Sequence, residues 1–550
     1  MNSADTPGRS RVLRRLQNNW QYAALLLLVA PAIAWLQADR GVWPWDPSWY
    51  GEVSADLWYN LTHSLRGWAA SMLLELNMKP PGIVWLGQFF VPLRHLTGSV
   101  ERALLLSIIL TQFCLLSVIY RIGRILRPGS RLIPLLGAAF AAGAQAFVGL
   151  SHAYFVEPLQ AAAVAWVALA AFEAPERPPA RTAIHFAGAL LLGALAKATT
   201  PVYCFVFCLY AFWAVARKGF HFDWRAEWRS VSSRWLILAM ALVGPATAAW
   251  YGFNLSAVWR HVQEASSGEI ALNYGFRASV GRKLITWIGL WKQSFLAPYL
   301  GWLLATGLLI AAGYTLARRK QKWLRLWTCA GLAFLQLFAV LLLFSLNDAV
   351  DARYLYPAIV FTAVLFMAIW AAIPSRILQA VALAACAVQW TAVNSSALGV
   401  AAPLEDTFEW VAPPHREASH YDALTRVILL TSIEPGRYNI VGVEEPWLNS
   451  NSAAFFAAKQ RLDTGIRSYY TSLGYAEKDT ATALARIEAL RTRYFITVDA
   501  PFHRDPPNFV NIVSLPVFER VRADGRFRRV PFSGHTGIVI FERMEPGPSK

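Results

Sequence analysis

Along the first 400 residues the apolar positions fall in long, nearly uncharged blocks, and the Arg and Lys mostly lie in short runs between them. A helix needs ~20 such residues to cross a bilayer. Blocks of this kind occupy 22–36, 102–120, 132–150, 159–174, 183–197, 200–216, 235–252, 295–316, 326–346, 356–373 and 377–394. The pattern therefore predicts about eleven spans. From about Pro403 it turns polar. Helix-like stretches at His420–Leu430, Ser452–Arg461 and Thr480–Leu490 mix with β-like runs "YNIVGV", "RYFITVD", "FVNIVSL" and "TGIVIFER", which predicts a small α/β domain. The expected division is a membrane domain over 1–400 and an α/β domain over 401–550.

The basic head "RVLRR" precedes an apolar body that is long for a signal peptide and is followed by many further spans, so an uncleaved first helix with a cytoplasmic N-terminus is expected. The segment Gly82–Leu96 decides the sidedness of everything after it. If it crossed, the basic runs at 121–131, 176–181, 216–229 and 317–325 would all lie outside; if it lies in the interface, all four lie inside. It is short and interrupted by Pro92, so an interfacial helix is predicted. The outer loops are then 37–101, 151–158, a turn around 198, 253–294 and 347–355, and the α/β domain is extracytoplasmic.

Composition agrees. The chain is 56% hydrophobic and 15% charged, with a mean hydropathy of +0.36, which excludes an ordinary soluble domain. The net charge of +17 sits mostly in the short inside segments, so it reads as positive-inside topology and no nucleic-acid partner is expected. The five cysteines fall in apolar stretches without pairing or metal-ligand spacing. No glycine-rich phosphate loop occurs, which argues against a nucleotide donor.

The outer loops, unlike the inner ones, mix acids with bases. Asp46 precedes Pro47 and is expected to cap a helix that buries Trp49, Val53 and Leu57, with Glu52 and Asp56 further along on a solvated face. Lys79 stands before two prolines, which fix its backbone at the start of the interfacial segment. Glu157 precedes Pro158 at the mouth of a span, with His152 five residues earlier. Lys197 interrupts an apolar stretch near its outer end; Arg277 lies in the long loop; Asp351, Arg353 and Tyr354 stand at the entrance of another span.

In this order, Asp46, the "KPP" of Lys79 to Pro81 with Trp85, Glu157, Lys197 and the "RYLYP" of Arg353 to Pro357 resemble the GT-C glycosyltransferases of family 39, the protein mannosyltransferase and aminoarabinose lipid A transferase group. Two departures are visible: Asp46 is followed by Pro47 where the family often pairs acids, and the second acid is Glu157 where the family commonly has Asp.

The resemblance implies an inverting transferase that moves a hexosyl or pentosyl group from a polyprenyl-phosphate donor to a lipid, polysaccharide or protein hydroxyl at the outer face of a bacterial plasma membrane. It implies Asp46 as general base and Glu157 as a catalytic partner that orients acceptor or sugar, or shares a divalent metal with Asp46. Lys79 and Arg353 would bind the donor phosphate, with Arg277 as a third cation. Lys197 either neutralises Glu157 or touches the phosphate. Glu52, His152 and Tyr354 are secondary candidates. A transporter of lipid-linked sugars and a polysaccharide polymerase or ligase are the alternatives.

Overall fold

The computed structural model describes residues 7–219, 224–317, 324–401, 411–432, 437–533 and 537–544. The chain forms two compact units: one of Met1–Gln37, Asn77–Gly82 and Leu105–Pro413, the other of Ala38–Leu76, Ile83–Leu104 and Pro414–Lys550. The α/β segment thus shares a core with residues 38–76 and 83–104.

The first unit is a multi-pass helical membrane domain. Seven helices among the described residues are long and apolar enough to cross a bilayer, and nine crossings result if each of two bent pairs counts as one. All eleven expected blocks are helical, but four differ from simple spans. Glu157–Glu173 and Thr200–Ala216 have 17 residues each, short of the ~20 a bilayer requires. The block 132–150 is Leu132–Ala142 and Gln145–Ser151, bent by 64°, and the block 295–316 belongs to Val280–Phe295 and Leu300–Thr315, bent by 98°. The expected loop 253–294 is largely helical, because Val231–Ser267 runs on past 252 and Val280–Phe295 follows.

A helix break in an apolar setting strands backbone groups that must find partners. Buried glutamines supply them. The Gln389 amide donates to the carbonyls of Gly143 (3.3 Å) and Ala297 (2.8 Å), one at each bend, while its oxygen accepts from the Tyr299 amide at 3.1 Å. Gln145 adds a second donor to Ala297 at 3.2 Å. Gln336 likewise bridges the Val202 carbonyl and the Val206 amide in the first turns of Thr200–Ala216.

The second unit holds a five-stranded sheet in the order β2-β1-β3-β5-β4, with β1 Tyr438–Val441, β2 Tyr469–Ser472, β3 Tyr494–Val498, β4 Phe527–Val530 and β5 Ile538–Arg543. β1 pairs in parallel with β2 and β3, and β5 is antiparallel to β3 and β4. Strand alternation sorts the side chains into two cores. Val441, Ile496, Val498, Ile538 and Ile540 pack with helices Ser419–Thr431 and Ser450–Thr464. Ile440, Phe495, Val539 and Phe541 pack on the other face with Thr480–Ala489 and Ser514–Ala523.

Two readings of this part need correction. The run "FVNIVSL" forms no strand: Asn511 turns its side chain to the backbone of Glu444, and Ser514 opens a helix with Pro516 in its first turn, a position that tolerates proline. The segment Gly82–Leu96 is no single helix but three short pieces, Gly82–Gly87, Val91–Leu93 and Arg94–Thr97, with Pro92 inside the second.

Candidate functional site

The first unit gathers Glu157, Lys197, Arg353 and Tyr354. Glu157 is the first residue of its helix, where unpaired amides favour an anion, and Pro158 fits the next position because the helix needs no N–H there. Lys197 is the residue on which helix Pro179–Ala196 ends, in extended conformation. Arg353 stands in a 3₁₀ turn, Ala352–Ala358, whose start is fixed by the Asp351 carboxylate accepting from the Arg353 amide at 2.8 Å.

The Glu157 carboxylate is 1% exposed. Its Oε1 accepts from Lys197 Nζ at 2.8 Å and faces Arg353 Nε at 3.4 Å, while Oε2 is buried without a hydrogen-bond partner. Asp351 pairs with the far side of Arg353 at 3.1 Å. Both cations rest on rings, Lys197 over Tyr354 at 4.5 Å and Arg353 over Phe155 at 4.6 Å. Tyr203 donates to the Tyr354 carbonyl and holds that turn in place.

The "KPP" turn reaches the same place. A β-carbon on Gly82 would lie 2.7 Å from the Leu195 carbonyl oxygen and 3.1 Å from a Leu159 methyl. Leu195 and Leu159 are each two residues from Lys197 and Glu157, so the turn carrying Lys79 is seated against both helix ends. Gly82→Ala is expected to push the turn away, costing about 1–3 kcal/mol; a melting curve in detergent checks this, and an unchanged midpoint would contradict the close approach.

The other expected residues are placed differently. His152 is buried and stacks on Trp35 at 4.2 Å between ring centres. Arg277 is exposed on the stretch after Phe276, where Gly275 bridges to Ala349 just ahead of the Asp351–Arg353 turn.

Asp46 and Glu52 belong to the second unit. The helix carrying them begins two residues earlier than expected, at Trp45 with Pro44 at the cap position, so Asp46 lies in the first turn. Val53 and Leu57 are buried as expected, and Trp49 only partly. Asp56 is no solvated-face residue: it is 4% exposed and accepts from Arg461 at 2.5 Å and Arg467 at 3.2 Å. Arg461 also donates to Asn60 and covers the Tyr59 ring at 4.0 Å. Gly51 lets Phe455 approach to where a β-carbon would be 2.8 Å from its ring. Arg461 ends the helix-like stretch Ser452–Arg461, and no local signal in the sequence points from it to Asp56.

Beside this pair Glu52 is pushed up to about 8 by burial, with Asp56 and Glu75 adding to the shift and Arg467 opposing it. Between its ordinary value of 4.5 and about 8 the folded chain holds a proton that the unfolded chain has released. Stability therefore falls as pH rises through that window and levels off above it. Melting of Glu52→Gln measured from pH 5 to 9 is expected to lose most of this decline; a profile parallel to the unsubstituted protein would contradict the placement of Glu52.

Among the described residues no three His, Cys, Asp or Glu side chains come together as metal ligands. Glu157 itself faces two cations, a setting suited to an anion and not to a second cation. A metal at Glu157 does not fit these residues.

No protein-family model matches this chain, and no curated protein matches it. Solved structures do. ArnT from Cupriavidus metallidurans bound to undecaprenyl phosphate superposes with a TM-score of 0.58 at 14% identity, over 97% of this chain and 100% of that one. The oligosaccharyltransferase AglB from Archaeoglobus fulgidus, in complex with an inhibitory peptide and a dolichol-phosphate, gives 0.52 at 12% identity over 97% and 75%. The mycobacterial arabinofuranosyltransferase AftD gives 0.52 at 15% identity over 96% of this chain but 40% of its own. The chain has the GT-C membrane fold that these proteins share.

Proposed function

We propose that this protein is a glycosyltransferase that takes a sugar from a polyprenyl-phosphate donor and passes it, with inversion, to a hydroxyl of a cell-envelope acceptor. The observation that carries the reading is the buried Glu157–Lys197–Arg353 cluster with the Lys79 turn seated against it. Two guanidinium or ammonium groups poised on aromatic faces, with a third on a proline-fixed turn, suit the leaving phosphate, whose charge grows as the bond to the sugar breaks. The likeness to ArnT, a protein solved with undecaprenyl phosphate, supports the same donor class.

In this reading Arg353 and Lys79 neutralise the phosphate. Glu157 holds Lys197 and Arg353 in place through Oε1 and offers Oε2 to a hydroxyl of sugar or acceptor. Asp46 takes the proton of the attacking hydroxyl, which displaces the phosphate from the opposite side of the anomeric carbon. Arg277 is kept as a further phosphate ligand. The reaction is assigned to the outer face of a bacterial plasma membrane because the acids gather in the loops opposite the basic runs.

The test is mass spectrometry of lipid-linked sugars and envelope glycans with and without the gene. Accumulated donor together with one missing decoration is expected. An unchanged envelope with unchanged donor would overturn the reading.

A further inference from the structure

The sheet of the second unit has a feature that the transfer chemistry above leaves unused. β1 lies between β2 and β3, and all three run in parallel. The chain leaves β1 through helix Ser450–Thr464 on one face to reach β2, then passes through Thr480–Ala489 on the other face to reach β3. From the carboxyl end of β1 the chain turns to Ser450–Thr464 on one face and from that of β3 to Ser514–Ala523 on the other, and in open α/β sheets the crevice outside such a point is where ligands bind.

The residues gathered there are polar and held in position. The loop after β1 carries Glu444 and Glu445. Asn511 pins Glu444 by its backbone, accepting from the amide at 2.7 Å and donating to the carbonyl at 3.2 Å. Ser450 donates to Glu444 Oε1 at 3.2 Å, and Arg504, from the loop after β3, pairs with Glu445 at 3.2 Å. Glu444 also hydrogen-bonds with the side chain of Trp45. Burial lifts this carboxyl to about 7, so near neutrality it both donates and accepts.

Trp45 is the residue before Asp46 on the first turn of its helix, and 37% of its surface is exposed. An open indole beside a carboxyl that can donate or accept suits the face of a sugar ring and its hydroxyls. Resting on the transferase reading, we infer that the crevice between the carboxyl ends of β1 and β3, with Glu444 and Trp45 as its principal contacts, binds a polyhydroxylated, sugar-bearing acceptor and presents its attacking hydroxyl to the neighbouring Asp46. This gives the α/β segment the task of acceptor selection.

The experiment titrates full-length protein in nanodiscs with soluble oligosaccharides of two to four sugars, released by mild acid from the envelope of cells lacking the gene. The unsubstituted protein is expected to bind at least one of them, and Glu444→Gln and Trp45→Ala to weaken that binding at least tenfold. Undecaprenyl phosphate is titrated in parallel and is expected to bind all three proteins alike. Ser450→Ala, which leaves the Asn449–Ser452 capping box intact, provides a second probe of Glu444 in a helix that still forms, with a several-fold loss expected. Oligosaccharide binding that is absent from the unsubstituted protein, or unchanged in Glu444→Gln and Ser450→Ala, overturns the inference. Undecaprenyl phosphate binding that fails in every protein, the unsubstituted one included, strikes at the donor assignment instead.

Discussion

Replacing Asp46 by Asn is expected to lower turnover by about 10²- to 10⁴-fold, the usual share of a general base, with donor affinity unchanged. Asn keeps the size and hydrogen-bonding reach of Asp but takes no proton. Asp46 is in the first turn and the cap position belongs to Pro44, and a melting curve of the variant reports any stability loss separately from the kinetic one. Single-turnover transfer from a labelled lipid-linked sugar separates the two quantities. Turnover within a few-fold of the unsubstituted rate would remove Asp46 from the chemistry.

The second large effect is expected from Lys197→Met. Glu157 is almost wholly buried and Lys197 is its nearest partner, so loss of the ammonium leaves the carboxylate with Arg353 at 3.4 Å as its nearest remaining cation. Removing one member of a buried pair costs about 3–5 kcal/mol, because the other charge stays desolvated. Arg353 holds the result to the lower part of that range. Adding Glu157→Gln to Lys197→Met is expected to recover most of the loss, and a double-mutant cycle on thermal midpoints measures the coupling. Additive losses would mean that the two groups do not share their charge.

Block hydropathy made the helices of the first unit legible, since a bilayer demands length and apolarity from each crossing. It could not show that 132–150 and 295–316 bend, because the partners that make the bends tolerable, Gln389 above all, come from a distant helix. The candidate residues of the first unit were legible for a related reason: Glu157, Lys197 and Arg353 are charges at the ends of apolar blocks, where an unpaired one would be costly. Their mutual contact was not, since helix ends 40 residues or more apart meet only through packing.

In the second unit the reverse held. Asp56 read as solvated because no local partner is near in sequence; its partners Arg461 and Arg467 arrive some 400 residues later. Short strands also escaped. "YYTS" and "FRRV" carry too few alternating apolar positions to stand out, and β2 and β4 exist because neighbouring strands offer them a ladder. "FVNIVSL" had the apolar content of a strand, but Asn511 and Pro516 spend it on a turn and the start of a helix.

The proposed donor assignment requires the Lys197–Arg353 cluster to be a site for a lipid-linked phosphate. The most direct measurement compares the affinity of the purified protein for undecaprenyl phosphate with its affinity for undecaprenol, in the unsubstituted chain and in Arg353→Met. Charge-assisted hydrogen bonds contribute about 1.5–3 kcal/mol each, so the unsubstituted protein is expected to prefer the phosphate by at least tenfold and Arg353→Met to lose most of that preference while binding undecaprenol as before. Equal affinity for the two lipids, or a preference that survives in Arg353→Met, would contradict it.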